Sequence, residues 1–82
     1  MNTPQIRTKL VFMQAYDYET FIEPMPDVPR EGDLISAEKM INTDKCDSSV
    51  LKQIFYYSWR VDFVVWEIDA EGYYAKLFLT GE

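Results

Sequence analysis

The chain has 82 residues, with 8 Lys+Arg against 14 Asp+Glu, no histidine and a formal net charge of -6, so its field repels phosphate backbones and anionic membrane surfaces and argues against nucleic acid or membrane partners. Hydrophobic residues make up 48% and aromatic residues 16%, enough for one core but not for two, and a single domain over 1–82 is expected. Without histidine, imidazole triads and the commonest metal ligand are excluded, which leaves any catalysis to carboxylates, lysine, tyrosine or Cys46.

The opening stretch MNTPQIRTKLVFMQAY has about seven mostly apolar residues after its basic pair and no small-residue cleavage site, so it does not read as a signal peptide. A strand is expected from about Ile6 to Tyr16, because Leu10, Val11, Phe12, Met13 and Tyr16 are crowded rather than spaced for a helix. Asp17-Tyr18-Glu19 reads as a turn. Thr20 to Ile22 can then pair briefly before Pro24, which has no N–H to give to a ladder.

Residues 23 to 35, EPMPDVPREGDLI, carry three prolines and an acidic run. Pro26 to Arg30 has the P-x-x-P spacing of a polyproline ligand. The simpler reading is a stiff crossing that ends one strand and reaches the Glu31-Gly32-Asp33 turn before a short strand at Leu34 to Ala37. Pro29-Arg30-Glu31-Gly32-Asp33-Leu34-Ile35 resembles the approach to a strand in many SH3-like and other small β-barrels. That resemblance implies a fold and no activity. Glu23, Asp27, Glu31 and Asp33 lack the spacing of a calcium loop and read as a solvated acidic rim.

Glu38 to Lys45 is polar and irregular, with a loop at Asn42-Thr43-Asp44. A short helix is expected over about 47–55, with the Asp47 carboxylate as cap and Val50, Leu51, Ile54 and Phe55 as its apolar stripe. Cys46 lies beside Lys45 and near that helix start, which favours thiolate, but Asp44 and Asp47 oppose it and no base is near. An ordinary thiol is expected. A lone cysteine also excludes an internal disulfide and suits a reducing, cytoplasmic setting.

The C-terminal third reads as a hairpin, Tyr57 to Ile68 returning through Tyr73 to Thr80 around Asp69-Ala70-Glu71-Gly72. Pairing Ile68 with Tyr73 sets Trp66 opposite Ala75, Val64 opposite Leu77 and Asp62 opposite Leu79, on a face that looks like core. The other face, with Val61, Phe63 and Val65 beside Tyr74, Lys76 and Phe78, is nearly as apolar and needs a cover: barrel closure, the helix or a second copy. The aromatic tract could stack single-stranded nucleic acid, but its acids Asp62, Glu67, Asp69 and Glu71 outnumber Arg60 and Lys76.

The expected architecture is α+β and mainly β: a four- to five-stranded antiparallel curled sheet or SH3-like barrel with one helix inserted before the hairpin. The expected role is a non-enzymatic protein-interaction module without cofactor or metal, binding a protein partner or its own copy through Tyr57, Trp59, Phe63, Tyr74 and Phe78. Two alternatives stand beside it. One is an acidic nucleic-acid mimic or inhibitor on a basic protein surface, and the other an enzyme using carboxylates or Cys46.

Overall fold

The computed structural model describes residues 4–82. Positions 1–3, where both the expected domain and the leader reading begin, lie outside them. The chain is mainly β with one helix: β1 (Ile6–Phe12), β2 (Tyr18–Met25), β3 (Leu34–Ile35), α1 (Ser48–Tyr56), β4 (Trp59–Asp69) and β5 (Gly72–Gly81). Short 3-10 turns occupy Ala37–Lys39 and Thr43–Lys45. Among the described residues no helix is long and apolar enough to cross a membrane.

The five strands form one curled sheet in the order β2-β1-β5-β4-β3. Its edges, β2 and β3, do not pair with each other, so the sheet is a half-barrel rather than a closed one. The expected antiparallel sheet needs one correction, because β1 and β5 run parallel, from Thr8 beside Ala75 to Phe12 beside Leu79. Parallel neighbours require a long connection, and everything from β2 through β4 supplies it. Hairpin signals are local and favour antiparallel pairing, which is why this seam has no signature in the sequence.

The first turn comes earlier than expected. β1 ends at Phe12, and the chain reverses through Tyr16 and Asp17 at φ 59° and 55°, with the Tyr18 N–H donating to the Ala15 carbonyl at 3.0 Å. β2 passes Pro24 instead of stopping before it. Its pairing jumps from Thr8 opposite Ile22 to Ile6 opposite Met25, and this extra β2 residue at the proline is the irregularity that lets a residue without an N–H stay in an edge strand.

Leu10, Phe12, Leu77, Leu79 and Val61 line the inner face of the sheet, and α1 lies over them with Val50 and Ile54. Leu51 is half-buried, and Phe55, read as part of the same stripe, is 61% exposed. Asp47 occupies the cap position, but its side chain accepts no capping bond. Trp59 seals the other end of the helix: its indole N–H donates to the Ile54 carbonyl at 2.8 Å, and its ring meets Phe12 edge to face at 4.9 Å.

The hairpin register is as expected at Ile68–Tyr73, Trp66–Ala75 and Val64–Leu77. It changes between Val61 and Phe63, where Val61 rather than Asp62 opposes Leu79. This bulge moves Val61 from the outer face into the core, where it is 1% exposed, and turns Asp62 out to water. A charged residue facing the core would be costly to bury, so the strand spends one residue in a bulge.

Candidate functional site

The outer face bears the surplus aromatic surface, and neither barrel closure nor the helix covers it. Three basic residues on the central strands cover it instead. Arg7, Lys9 and Lys76 project among Phe21, Tyr74 and Phe78, with the Lys9 ammonium 4.7 Å from the Phe21 centroid, the Arg7 guanidinium 5.0 Å from the same ring, and Lys76 5.3 Å from the Phe78 ring. Their side chains are only 25%, 17% and 18% exposed, so their stems lie along apolar surface while the charged heads reach acids.

Those acids ring the aromatic patch. Lys9 pairs with Glu19 at 3.3 Å, and Lys76 reaches Glu19 and Glu67 at 3.7 and 3.9 Å. Arg7 forks onto Asp69 and also reaches Glu71 at 3.2 Å. The Tyr74 hydroxyl donates to Glu67 at 2.7 Å, which with partial burial holds the phenol above its ordinary pKa. Cation–ring contacts and ion pairs thus replace the missing layer. The cover is partial, since Phe21 and Phe63 stay 43% and 40% exposed.

The predicted partner-binding residues divide accordingly. Trp59 and Tyr74 are 1% and 6% exposed, so neither offers surface to a partner, and Tyr57 is half-buried against the core. Phe63 and Phe78 come together on the outer face, stacked at 4.4 Å with an interplanar angle of 15°; Phe63 remains 40% exposed. Of the predicted acidic rim, Glu23, Asp27, Glu31 and Asp33 are all exposed. Asp27 accepts the Val28 N–H and Asp33 the Arg30 N–H, so these two shape the crossing. Among the described residues no group of three or more His, Cys, Asp or Glu is placed to hold a metal ion.

Cys46 is half-buried, and its thiol donates to the Tyr18 hydroxyl oxygen at 3.3 Å. This contact ties the loop before α1 to β2.

Comparisons with protein-family models, curated proteins and solved structures find no match to this chain.

The apolar surface left open lies at the far end of the inner face. Trp66, Ile68 and Tyr73 share that side of the β4–β5 hairpin and are 58%, 64% and 72% exposed. The cause is length. Nine helical residues span about 14 Å, whereas the 11 residues of β4 span about 36 Å, so α1 covers one end of the strand and cannot reach the other. Residues 26–33 cross part of the remainder, leaving a groove of about 350 Å³ whose apolar lining is Ile6, Val28, Pro29, Val64 and Trp66, with Asp27, Arg30 and Glu31 completing it. Strand alternation assigns Trp66 and Ile68 to a core-facing side, and the length of the helix is the signal that half of this side lacks a lid.

β4 also has a free edge there. β3 pairs only with Arg60 and Trp59, and Gly32 and Asp33 extend the contact to Val61. From Asp62 to Ile68, among the described residues, β5 is the only strand beside β4.

Proposed function

We propose that this chain is a non-enzymatic protein-interaction module whose contact surface is the uncovered end of the inner sheet face. One observation carries the reading: Trp66, Ile68 and Tyr73 stand exposed side by side on a rigid hairpin. Clustered exposed apolar groups favour burial against another molecule, and Trp and Tyr bury large area at small entropic cost while keeping a polar handle. The surface differs from the outer face, where ion pairs already satisfy the acids. It lies instead beside the proline-rich crossing, so the hairpin and the crossing act together.

The reading is tested by placing a photo-crosslinking amino acid at position 73 and irradiating cells of the native host, with Lys52, exposed on α1, as control position. Discrete protein adducts at 73, absent at 52 and lost with Trp66→Ser, are expected. Equal labelling at both positions would overturn the reading. Sedimentation of the purified chain separates a second copy from a different partner.

A further inference from the structure

We propose that the free edge of β4 between Phe63 and Ile68 accepts an additional strand from a protein partner, an extended basic segment in which β-branched or aromatic residues alternate with lysine or arginine. The inference rests on the interaction reading above and adds how the partner binds and what its chemistry is.

Three observations meet at this edge. The first is backbone: β3 stops pairing at Leu34 opposite Arg60, and the register shift between Val61 and Phe63 marks where its contact ends. Beyond it β4 has no neighbour on that side among the described residues, and an unpaired strand edge is a template for another strand. The opposite edge of the sheet differs, since β2 carries Pro24 and the bulge beside it. The uninterrupted part of β2, Tyr18 to Ile22, lies at the other edge of the sheet from Trp66 and Ile68, so among the described residues the β4 edge alone joins an unpaired run to the exposed apolar side.

The second is side-chain alternation. Val64, Trp66 and Ile68 lie on the inner side of this run, and Phe63, Val65 and Glu67 on the outer side. An added strand places successive side chains on opposite faces, so every other partner residue lies beside Trp66 and Ile68 and reaches the groove lined by Val28 and Pro29. Those positions call for apolar groups.

The third is charge. Asp62 of β4 and Asp27 and Glu31 of the groove rim are acids, against Arg30 as the one base lining the groove, while Glu67 and Asp69 are already paired with Lys76 and Arg7. Among the described residues Asp62, Asp27 and Glu31 form no ion pair. Basic residues on the alternate positions of the partner meet this rim. A second copy, itself at -6, would bring the same acids to the seam within a Debye length of one another, so self-pairing through this edge is disfavoured.

The test uses a phage-displayed library of random linear peptides selected on the whole chain and counter-selected on Trp66→Ser. Enrichment of alternating apolar and basic sequences is expected, with affinity falling at least about tenfold for Trp66→Ser and several-fold between low and high salt. The best sequence is then synthesised in two forms, each N-methylated on one of the two alternating sets of residues. Edge pairing requires that one form lose binding and the other keep it, and that exchange of amides within Phe63–Ile68 slow on binding. Proline-rich or acidic winners, no enrichment over the counter-selected variant, protection on β2, or self-association through β4 would each overturn the inference. If both methylated forms bind equally, the edge does not pair, while the interaction reading survives through the dependence on Trp66. If the crosslinks at position 73 are also absent, both fall.

Discussion

Arg7 and Asp69, 62 positions apart, meet fork to fork, with both guanidinium–carboxylate contacts at 2.9 Å. The pair ties the start of β1 to the tip of the β4–β5 hairpin, and the Glu71 backbone N–H adds a third donor to the same carboxylate at 2.9 Å. Arg7, followed by that N–H, lowers the Asp69 pKa from 3.8 to about 2. A folded-state value below the unfolded one gives stability that is present above 3.8 and lost as pH falls through about 2. The difference in urea midpoint between wild type and Asp69→Asn is therefore largest near neutrality and shrinks between pH 4 and pH 2. A constant difference across that window would show that Asp69 acts through something other than its charge.

Trp59→Phe keeps a ring against Phe12 and removes the indole N–H from the Ile54 carbonyl. The cost comes from a buried acceptor left without its donor and from the smaller ring. Together these amount to about 2–4 kcal/mol in chemical denaturation. In the wild type, the Trp59 indole proton exchanges with solvent far more slowly than that of Trp66, which is 58% exposed.

Gly81 lies against Tyr57. A Cβ at position 81 would sit 2.6 Å from the Tyr57 Cγ and 2.7 Å from its Cβ. Gly81→Ala is expected to destabilise by about 1–3 kcal/mol, as overpacking does. Most of that loss should disappear when Tyr57→Gly, which removes both the Cγ and the Cβ that clash, is the background, and a double-mutant cycle reads the coupling directly.

The turn at Tyr16-Asp17 holds two consecutive non-glycine residues in the left-handed region, and Tyr16 is 70% exposed with little packing to lose. Tyr16→Asn combined with Asp17→Gly suits this backbone. The double variant is expected to gain about 1–2 kcal/mol. A thermal midpoint that stays level or falls would show that the strain is offset by contacts of the native side chains.

Much of the fold was legible because its signals are local. The helix is shifted by one residue from the expected 47–55, and the hairpin register holds from Ile68–Tyr73 to Val64–Leu77, since helical periodicity and a turn flanked by β-branched residues act over a few positions. What could not be read depends on distant neighbours. Arg7, Lys9 and Lys76 are single charges in apolar runs, and only the pairing of β1 with both β2 and β5 reveals that Glu19, Glu67 and Asp69 await them. The bulge at Asp62 is a similar case: strict alternation exposes Val61 and buries a carboxylate, and the chain breaks alternation instead. Trp59 looked like a surface anchor because its type suits interfaces as well as cores. Its place inside comes from the helix end that it closes.

The parallel seam of β1 and β5 gives the chain a natural division. A cut in the 42–47 loop would leave β1, β2 and β3 on one piece and α1, β4 and β5 on the other, with Leu10 and Phe12 parted from Leu77, Leu79 and Trp59. Each piece could form its own hairpin, but neither would enclose a core. The seam joins positions as distant as Thr8 and Ala75, so it closes only after a large entropic cost has been met. Two halves separated at that loop should thus remain unfolded apart and assemble into the native sheet when mixed, making the molecule a split reporter whose reassembly surface is its own interior.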